Sequence, residues 1–170
     1  IGGRKPIMLT FNGKAALTLS LDIAPNYVEG LIAYIDGKVL YESKIRGIKV
    51  SSDNVLAYIT EMVEKLTQHA AETPHGITGV CIAIHGLVNQ EEIIFTPNYT
   101  LQSDLKSQLE EMYPFYVYLE NEANLAALGE YTFGSISDSV VSLSIHTGIG
   151  AGIVENGKLR TGKKGKAGEI

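Results

Sequence analysis

A chain of 170 residues with 45% hydrophobic content can bury a core of its own, which excludes disorder and fits one domain, or one domain and part of another. Nineteen acids outnumber fourteen Lys and Arg, and the net charge of -5 excludes the dense cationic footprint of a duplex-binding surface, so any DNA contact has to come from outside this stretch. No apolar run approaches the roughly 20 residues that span a bilayer, and the start lacks the apolar stretch of a signal peptide, so a cytoplasmic location and no membrane partner are expected.

Ile1 to Pro6 has the Gly, basic and Pro composition of a linker remnant, and with no Met in front of it a cut at a domain boundary is expected. Pro6 to Phe11 reads as a short strand and Asn12-Gly13 as a tight turn. Ala15 to Ile23 then alternates Leu17, Leu19, Leu21 and Ile23 against Thr18, Ser20 and Asp22, the pattern of a half-buried strand. After a break at Ala24-Pro25, Tyr27 to Ile35 is a second strand, Asp36-Gly37 a hairpin turn, and Lys38 to Ser43 the return strand, so three or four strands in meander order are predicted.

Ser51-Ser52-Asp53 offers helix caps, and Val55, Ile59, Met62, Val63, Leu66 and Ala70 recur at helical spacing, predicting about five turns that Pro74 closes. Neither His69 nor His75 stands in a ligand pattern. Ile77 to Ile84 is nearly continuous apolar sequence, as in a central parallel strand covered on both faces, with the lone Cys81 as packing. Glu92 to Thr96 is a short strand, and Leu101, Leu105, Leu109 and Met112 form the buried stripe of a second helix that Pro114 ends. Phe115 to Leu119 is a strand and a helix runs from the following polar cluster to about Tyr131. The strand-helix-strand-helix succession favours parallel pairing with right-handed crossovers.

The pattern restarts at Thr132-Phe-Gly134. Val140 to Ile145 is a strand, His146 to Gly152 a glycine-rich turn, Ile153-Val154 the start of another strand, and Asn156-Gly157 a further turn. The expected division is a linker remnant at 1–6, a first lobe at 7–133 and the start of a second, truncated lobe at 134–170.

Two stretches carry chemistry. Glu120-Asn-Glu-Ala-Asn124 falls where a strand gives way to a helix, and α/β domains place ligands at the carboxyl ends of their strands beside helix N-terminal N–H groups. There Asn121 and Glu122 can grip hydroxyls or steer a proton; alternatively, Asn121 only caps the helix and Glu122 only complements its dipole. The run Gly148-Ile-Gly-Ala-Gly152 can form an anion nest, or simply a tight hairpin whose glycines supply curvature; it lacks the Lys-Ser or Lys-Thr of a Walker loop and leads into a strand.

Taken together, Glu120-Asn-Glu-Ala-Asn-Leu-Ala-Ala-Leu-Gly-Glu130, Phe133-Gly134, His146-Thr-Gly-Ile-Gly-Ala-Gly-Ile153, Asn156-Gly-Lys-Leu159 and Gly165-Lys-Ala-Gly-Glu-Ile170 resemble the ROK family, which joins sugar-responsive repressors and sugar kinases. The resemblance implies an α/β, ribonuclease H-like fold of the actin and hexokinase type: a mixed sheet with flanking helices, followed by the opening strands of a second lobe, with sugar held between the lobes. The family's kinases carry Asp-x-Gly-Gly-Thr after the first long strand to hold nucleotide phosphates. The matching run here is Asp22-Ile-Ala-Pro-Asn26, in which Pro25 has no N–H to donate, Ala24 adds a side chain and Asn26 replaces the hydroxyl. In the second phosphate loop, His146 stands where glycine is usual, ahead of Thr147, Gly148 and Gly150.

Glu122 replaces the Asp that serves those kinases as general base, one methylene longer, and a misplacement of about 1 Å can cost on the order of a hundredfold in rate. Glu-Asn-Glu-Ala-Asn is similar to the family's xylose-type repressors, and Gly2-Gly-Arg-Lys-Pro6 to the boundary between their helix-turn-helix and sensor. The resemblance assigns sugar contacts to Gly86, Asn98, Asn121, Glu122 and Glu169 and leaves no metal or cofactor on this stretch, any zinc lying beyond Ile170; His85, where the family often has Pro, is expected as a packed loop residue ahead of a ligand contact. A sugar-sensing repressor domain is thus expected, homo-oligomeric, reaching operator DNA through an N-terminal domain. The alternatives are an ATP-dependent sugar kinase, in which Glu122 is catalytic, and a plain sugar-binding module.

Overall fold

The computed structural model describes residues 7–89, 91–134, 138–145 and 148–168, so the expected linker at Ile1 to Pro6 lies outside the described residues. Strands β1 (Leu17–Ala24), β2 (Tyr27–Tyr34) and β3 (Val39–Arg46) form the antiparallel meander. After helix α1 (Val55–Thr67), β4 (Ile77–Ile84) pairs parallel to β1. A small hairpin, β5 (Leu87–Val88) and β6 (Ile93–Phe95), and helix α2 (Leu105–Met112) then lead to β7 (Tyr116–Asn121), parallel to β4. The resulting five-stranded mixed sheet has the order β3-β2-β1-β4-β7, the ribonuclease H-like arrangement that the resemblance to the ROK family implies. Helix α3 (Glu122–Phe133) follows β7 without a loop, and β8 (Ser139–Ile145), β9 (Ile149–Glu155) and β10 (Lys158–Leu159) make a separate three-stranded antiparallel sheet.

The alternation in β1 decides what covers the large sheet. Leu17, Leu19, Leu21 and Ile23 are all buried in one continuous core with Ile59, Met62, Leu66, Ile82, Leu105, Leu109 and Leu119. Each such side chain contributes about 1.5 to 3 kcal/mol by leaving water. The opposite face, with Ser20, Asp22, Cys81 and Ala83, looks toward α3 across a cleft of about 460 Å³ that Leu125, Leu128 and Phe133 wall on the helix side. The far end of α3 reaches the Asp36–Gly37 hairpin, where a Cβ on Gly37 would lie 2.8 Å from the Phe133 ring.

Several local expectations are corrected. Residues 7–12 form no strand; Ile7, Met8, Leu9 and Phe11 are largely exposed, and nothing among the described residues offers them a ladder partner. Helix α1 stops at Thr67, well before Pro74, because local bonds take its last carbonyls: the Thr67 hydroxyl donates to Glu64 O (3.0 Å), His69 Nδ1 to Lys65 O (3.0 Å) and Ala70 N to Thr67 O (3.0 Å). Its N-cap is Asn54 rather than Ser51, Ser52 or Asp53, and Asn54 Oδ1 instead accepts from Ser51 N (2.9 Å). On α2, Met112 is exposed and Lys106 is buried, its ammonium donating to Glu91 at 3.0 Å over the Tyr116 ring, so an amphipathic stem takes a core position.

The glycine-rich segment differs most. Gly150 and Gly152 lie inside β9, not in a turn, and face the first turns of α3. A Cβ on Gly152 would sit 2.1 Å from Ala123 O and 2.6 Å from Ala127 Cβ, and one on Gly150 would sit 3.2 Å from Ala123 Cβ. These glycines therefore let a strand touch a helix backbone, beside a small core of Ala127, Val140 and Val154. The other face of this sheet bears Val141, Leu143, Ile145 and Ile149, all more than half exposed.

Replacing Gly152 with Ala or Val is expected to destabilise the fold by about 1 to 3 kcal/mol through overpacking, read as a lower urea midpoint at unchanged slope. Asn121→Ala, which removes the N-cap of α3, is expected to cost about 1 to 2 kcal/mol in the same titration.

Candidate functional site

Parallel pairing brings the carboxyl ends of β1, β4 and β7 side by side: Ile23 pairs with Ile84, which pairs with Asn121. Just beyond them lie Ala24, His85-Gly86 and Glu122, which is where an open α/β sheet collects ligands. Polar residues follow each strand because the hydrophobic alternation has ended there and the backbone turns toward water.

Asn121 is the hinge of this end. Its Oδ1 accepts from Ala123 N (2.9 Å) and Asn124 N (3.3 Å), capping α3, while its Nδ2 donates to Gly86 O (2.8 Å). Both acceptor positions and one of two donors are used, which leaves at most one amide proton for a ligand. Gly86 has to be glycine: a Cβ there would lie 2.3 Å from Phe95 O. Glu122, half-buried in the first turn of α3, accepts from the Ser144 hydroxyl of β8 (3.0 Å), so its carboxylate stands where the two sheets meet. Asn98 is exposed on the loop after β6, where the Thr96 hydroxyl bonds to Tyr99 O.

Two residues of the same motif were not among the candidates, yet they build the junction. Glu120 is 5% and Asn124 2% exposed; Glu120 Oε1 accepts from Asn121 N (2.8 Å) and Asn124 Nδ2 (2.9 Å). Asn124 Oδ1 is buried with no hydrogen-bond partner among the described residues. The signal was their spacing of four across the strand-helix boundary, which lets the two side chains meet.

At the end of β1, Ala24 is buried and pairs with Tyr27, leaving Pro25–Asn26 as a two-residue turn whose Pro25 O accepts from Val50 N (2.9 Å). Asp22 is not left to solvent. Its Oδ1 accepts from His85 Nε2 (2.8 Å) and its Oδ2 from the Tyr27 hydroxyl (2.8 Å). The Tyr99 hydroxyl donates to Ile23 O (2.6 Å) and accepts from His85 N (3.2 Å). Burial, the bond to Asp22 and the charges of Asp22, Glu29 and Glu122 hold the Tyr27 phenol well above its ordinary pKa, so the hydroxyl stays a donor. His85, expected as a packed loop residue, is half-buried but spends its ring on Asp22.

Of the remaining candidates, Gly148 sits in a bend before β9 and Gly150 within it, while His146, Thr147 and Glu169 lie outside the described residues. No group of three or more His, Cys, Asp or Glu among the described residues is arranged to hold a metal, and no helix is long and apolar enough to cross a membrane. Cys81 lines the cleft under α3, half-buried; burial, then the charge of Glu120, pushes its thiol up to about 11. The neutral thiol is the native form, so the stability it contributes is present below the ordinary thiol pKa and is lost as pH rises through 11. Iodoacetamide is expected to alkylate the native protein slowly at about pH 8.5 and faster toward pH 11, whereas urea-unfolded protein reacts readily at the lower pH, as followed by intact mass.

Comparison with known proteins places this geometry. The chain is 34% identical to the xylose repressor of Bacillus subtilis (strain 168) over 174 residues, 99% of this chain and 45% of that protein, so it spans less than half the length of that relative. Its structure is similar to that of a ROK family glucokinase from Streptomyces griseus in complex with glucose and AMPPNP (TM-score 0.79, 29% identity, 90% of this chain and 49% of that one). It is also similar to a ROK family transcriptional regulator described as a homologue of E. coli MLC protein (TM-score 0.78, 27% identity, 94% of this chain and 41% of that one). The ROK family model matches residues 18–170, from the first strand of the large sheet onward, and the chain belongs to the ROK family.

Proposed function

We propose that this chain is the sugar-sensing part of a transcriptional repressor. In the intact protein a sugar would lie against Gly86, Asn98, Asn121 and Glu122, with Glu169 as a further contact, and operator DNA would be held by an N-terminal region. Sugar binding would alter the spacing of paired DNA-binding domains in a cytoplasmic homo-oligomer, a coupling of about 1 to 3 kcal/mol.

One observation carries this reading: the hairpin that matches the kinases' phosphate-binding run is poorly equipped to cradle a nucleotide phosphate. Pro25 supplies no N–H and its carbonyl is taken by Val50 N. Each oxygen of Asp22 already accepts a bond, one from His85 and one from Tyr27, so a nucleotide-bound cation would compete with both for that carboxylate. The glycines of β9 face the backbone of α3. The similarity to a xylose repressor supports the same reading.

A sugar kinase is the second reading, favoured by the likeness to the Streptomyces griseus glucokinase and by the carboxylate of Glu122 on the first turn of α3. The two separate on full-length protein. A repressor binds an operator fragment in mobility-shift assays and releases it as D-xylose or another free sugar is added, with no ADP formed from ATP and a pentose and hexose panel. Steady ADP release that Glu122→Gln abolishes would establish the kinase instead.

A further inference from the structure

The bonds at the end of the large sheet form one connected set. Asn121 Nδ2 holds Gly86 O; the residue before Gly86 is His85, whose ring is fixed on Asp22 and whose backbone N–H donates to the Tyr99 hydroxyl. That hydroxyl in turn holds Ile23 O of β1. Tyr99 is the neighbour of Asn98, and the Thr96 hydroxyl on Tyr99 O closes the loop between them. Asn121-Glu122 on one side and Asn98 on the other are thus referred to the same anchor, the β1 end at Asp22-Ile23, through His85 and Tyr99.

We propose that His85 and Asp22 are a positioning pair of the sugar site: the Asp22 carboxylate, unused for phosphate, pins the His85 ring and so fixes the turn that carries Gly86 relative to the loop that carries Asn98. Neither side chain need touch the sugar. The pair is well placed for this, because the half-buried imidazole lies one residue past the last paired position of β4 and reaches back to Asp22, which is paired with Ala83 inside the β1–β4 ladder. Tyr27 completes the anchor by holding the second carboxylate oxygen, which stops Asp22 from rotating away. A side chain that sets the distance between two groups of hydroxyl-binding residues acts on discrimination as well as affinity, since a displaced donor misses one epimer's hydroxyl more than another's.

The inference rests on the sugar-sensor reading, and the test keeps the two apart. Full-length wild type, His85→Ala, Asp22→Asn, the double variant and His85→Gln are titrated calorimetrically with D-xylose and its epimer D-lyxose, and each is melted without sugar. His85→Ala and Asp22→Asn are each expected to weaken D-xylose binding roughly tenfold, the effect of losing one charge-assisted hydrogen bond. The double variant is expected to be no weaker than the worse single one. His85→Gln, which keeps a donor at the reach of Nε2, restores most of the affinity, and the D-xylose to D-lyxose ratio narrows in His85→Ala and recovers in His85→Gln. Unchanged affinity and ratio in His85→Ala, whatever its melting temperature, overturn the pair. So do additive losses in the double variant, or a His85→Gln as weak as the alanine. Wild type that binds no sugar in a pentose and hexose panel removes the sensor reading itself, and this inference with it.

Discussion

The side-chain amide of Asn121 is bonded at both ends, to the first N–H groups of α3 and to the Gly86 carbonyl, and the rest of the carboxyl end of the large sheet is set by it. A helix that begins directly on the last residue of a strand has no loop to absorb errors of direction, so the cap determines where the axis of α3 points. Glu120 reinforces it from beneath by bonding Asn121 N and Asn124 Nδ2 inside the core. From that start α3 crosses the open face of the large sheet, roofs the cleft above Cys81 and offers its first turns to β9. One polar junction thereby relates two sheets that share no strand pairing among the described residues.

Most of the fold was legible in the chain because its signals are local. The alternation of Leu17, Leu19, Leu21 and Ile23 gives a strand with one wet face, and Val55, Ile59, Met62, Val63 and Leu66 give a helix with one dry face; both are what is found. The Asn156-Gly157 turn was legible for the same reason, since both residues adopt the positive φ such a turn demands. What escaped depends on partners remote in sequence. An exposed run such as Ile7 to Phe11 looks like a strand until one asks which edge would pair with it. The glycines of β9 look like a turn until α3 is laid against them, because a turn and a close backbone contact ask for the same residue.

The carboxyl end of the large sheet shows the same division. The strand-helix boundary that places Asn121 and Glu122 was legible from the sequence alone, as was the turn after Ala24. That Asp22 would be bonded by His85, 63 positions away, and by Tyr27 across the hairpin has no counterpart in the spacing of letters. His85 alone reads as a loop residue; only the parallel register of β1 and β4 puts it beside Asp22. Parallel pairing is where sequence patterns say least, since the strands it joins are separated by whole helices.

Gly152 has a mechanical consequence. Where two elements meet through side chains, one can shift a little while the other stays, because rotamers absorb the motion. Here β9 meets the carbonyl of Ala123 directly, and there is no such slack. Any displacement of the small sheet presses on the first turn of α3, and with it on the Glu122 carboxylate that Ser144 bonds. Asn121, by contrast, is the last residue of β7 and its amide holds the Gly86 carbonyl, so it belongs with Asp22 and His85 to the large sheet, and the boundary between the two sheets falls between two adjacent residues, Asn121 and Glu122.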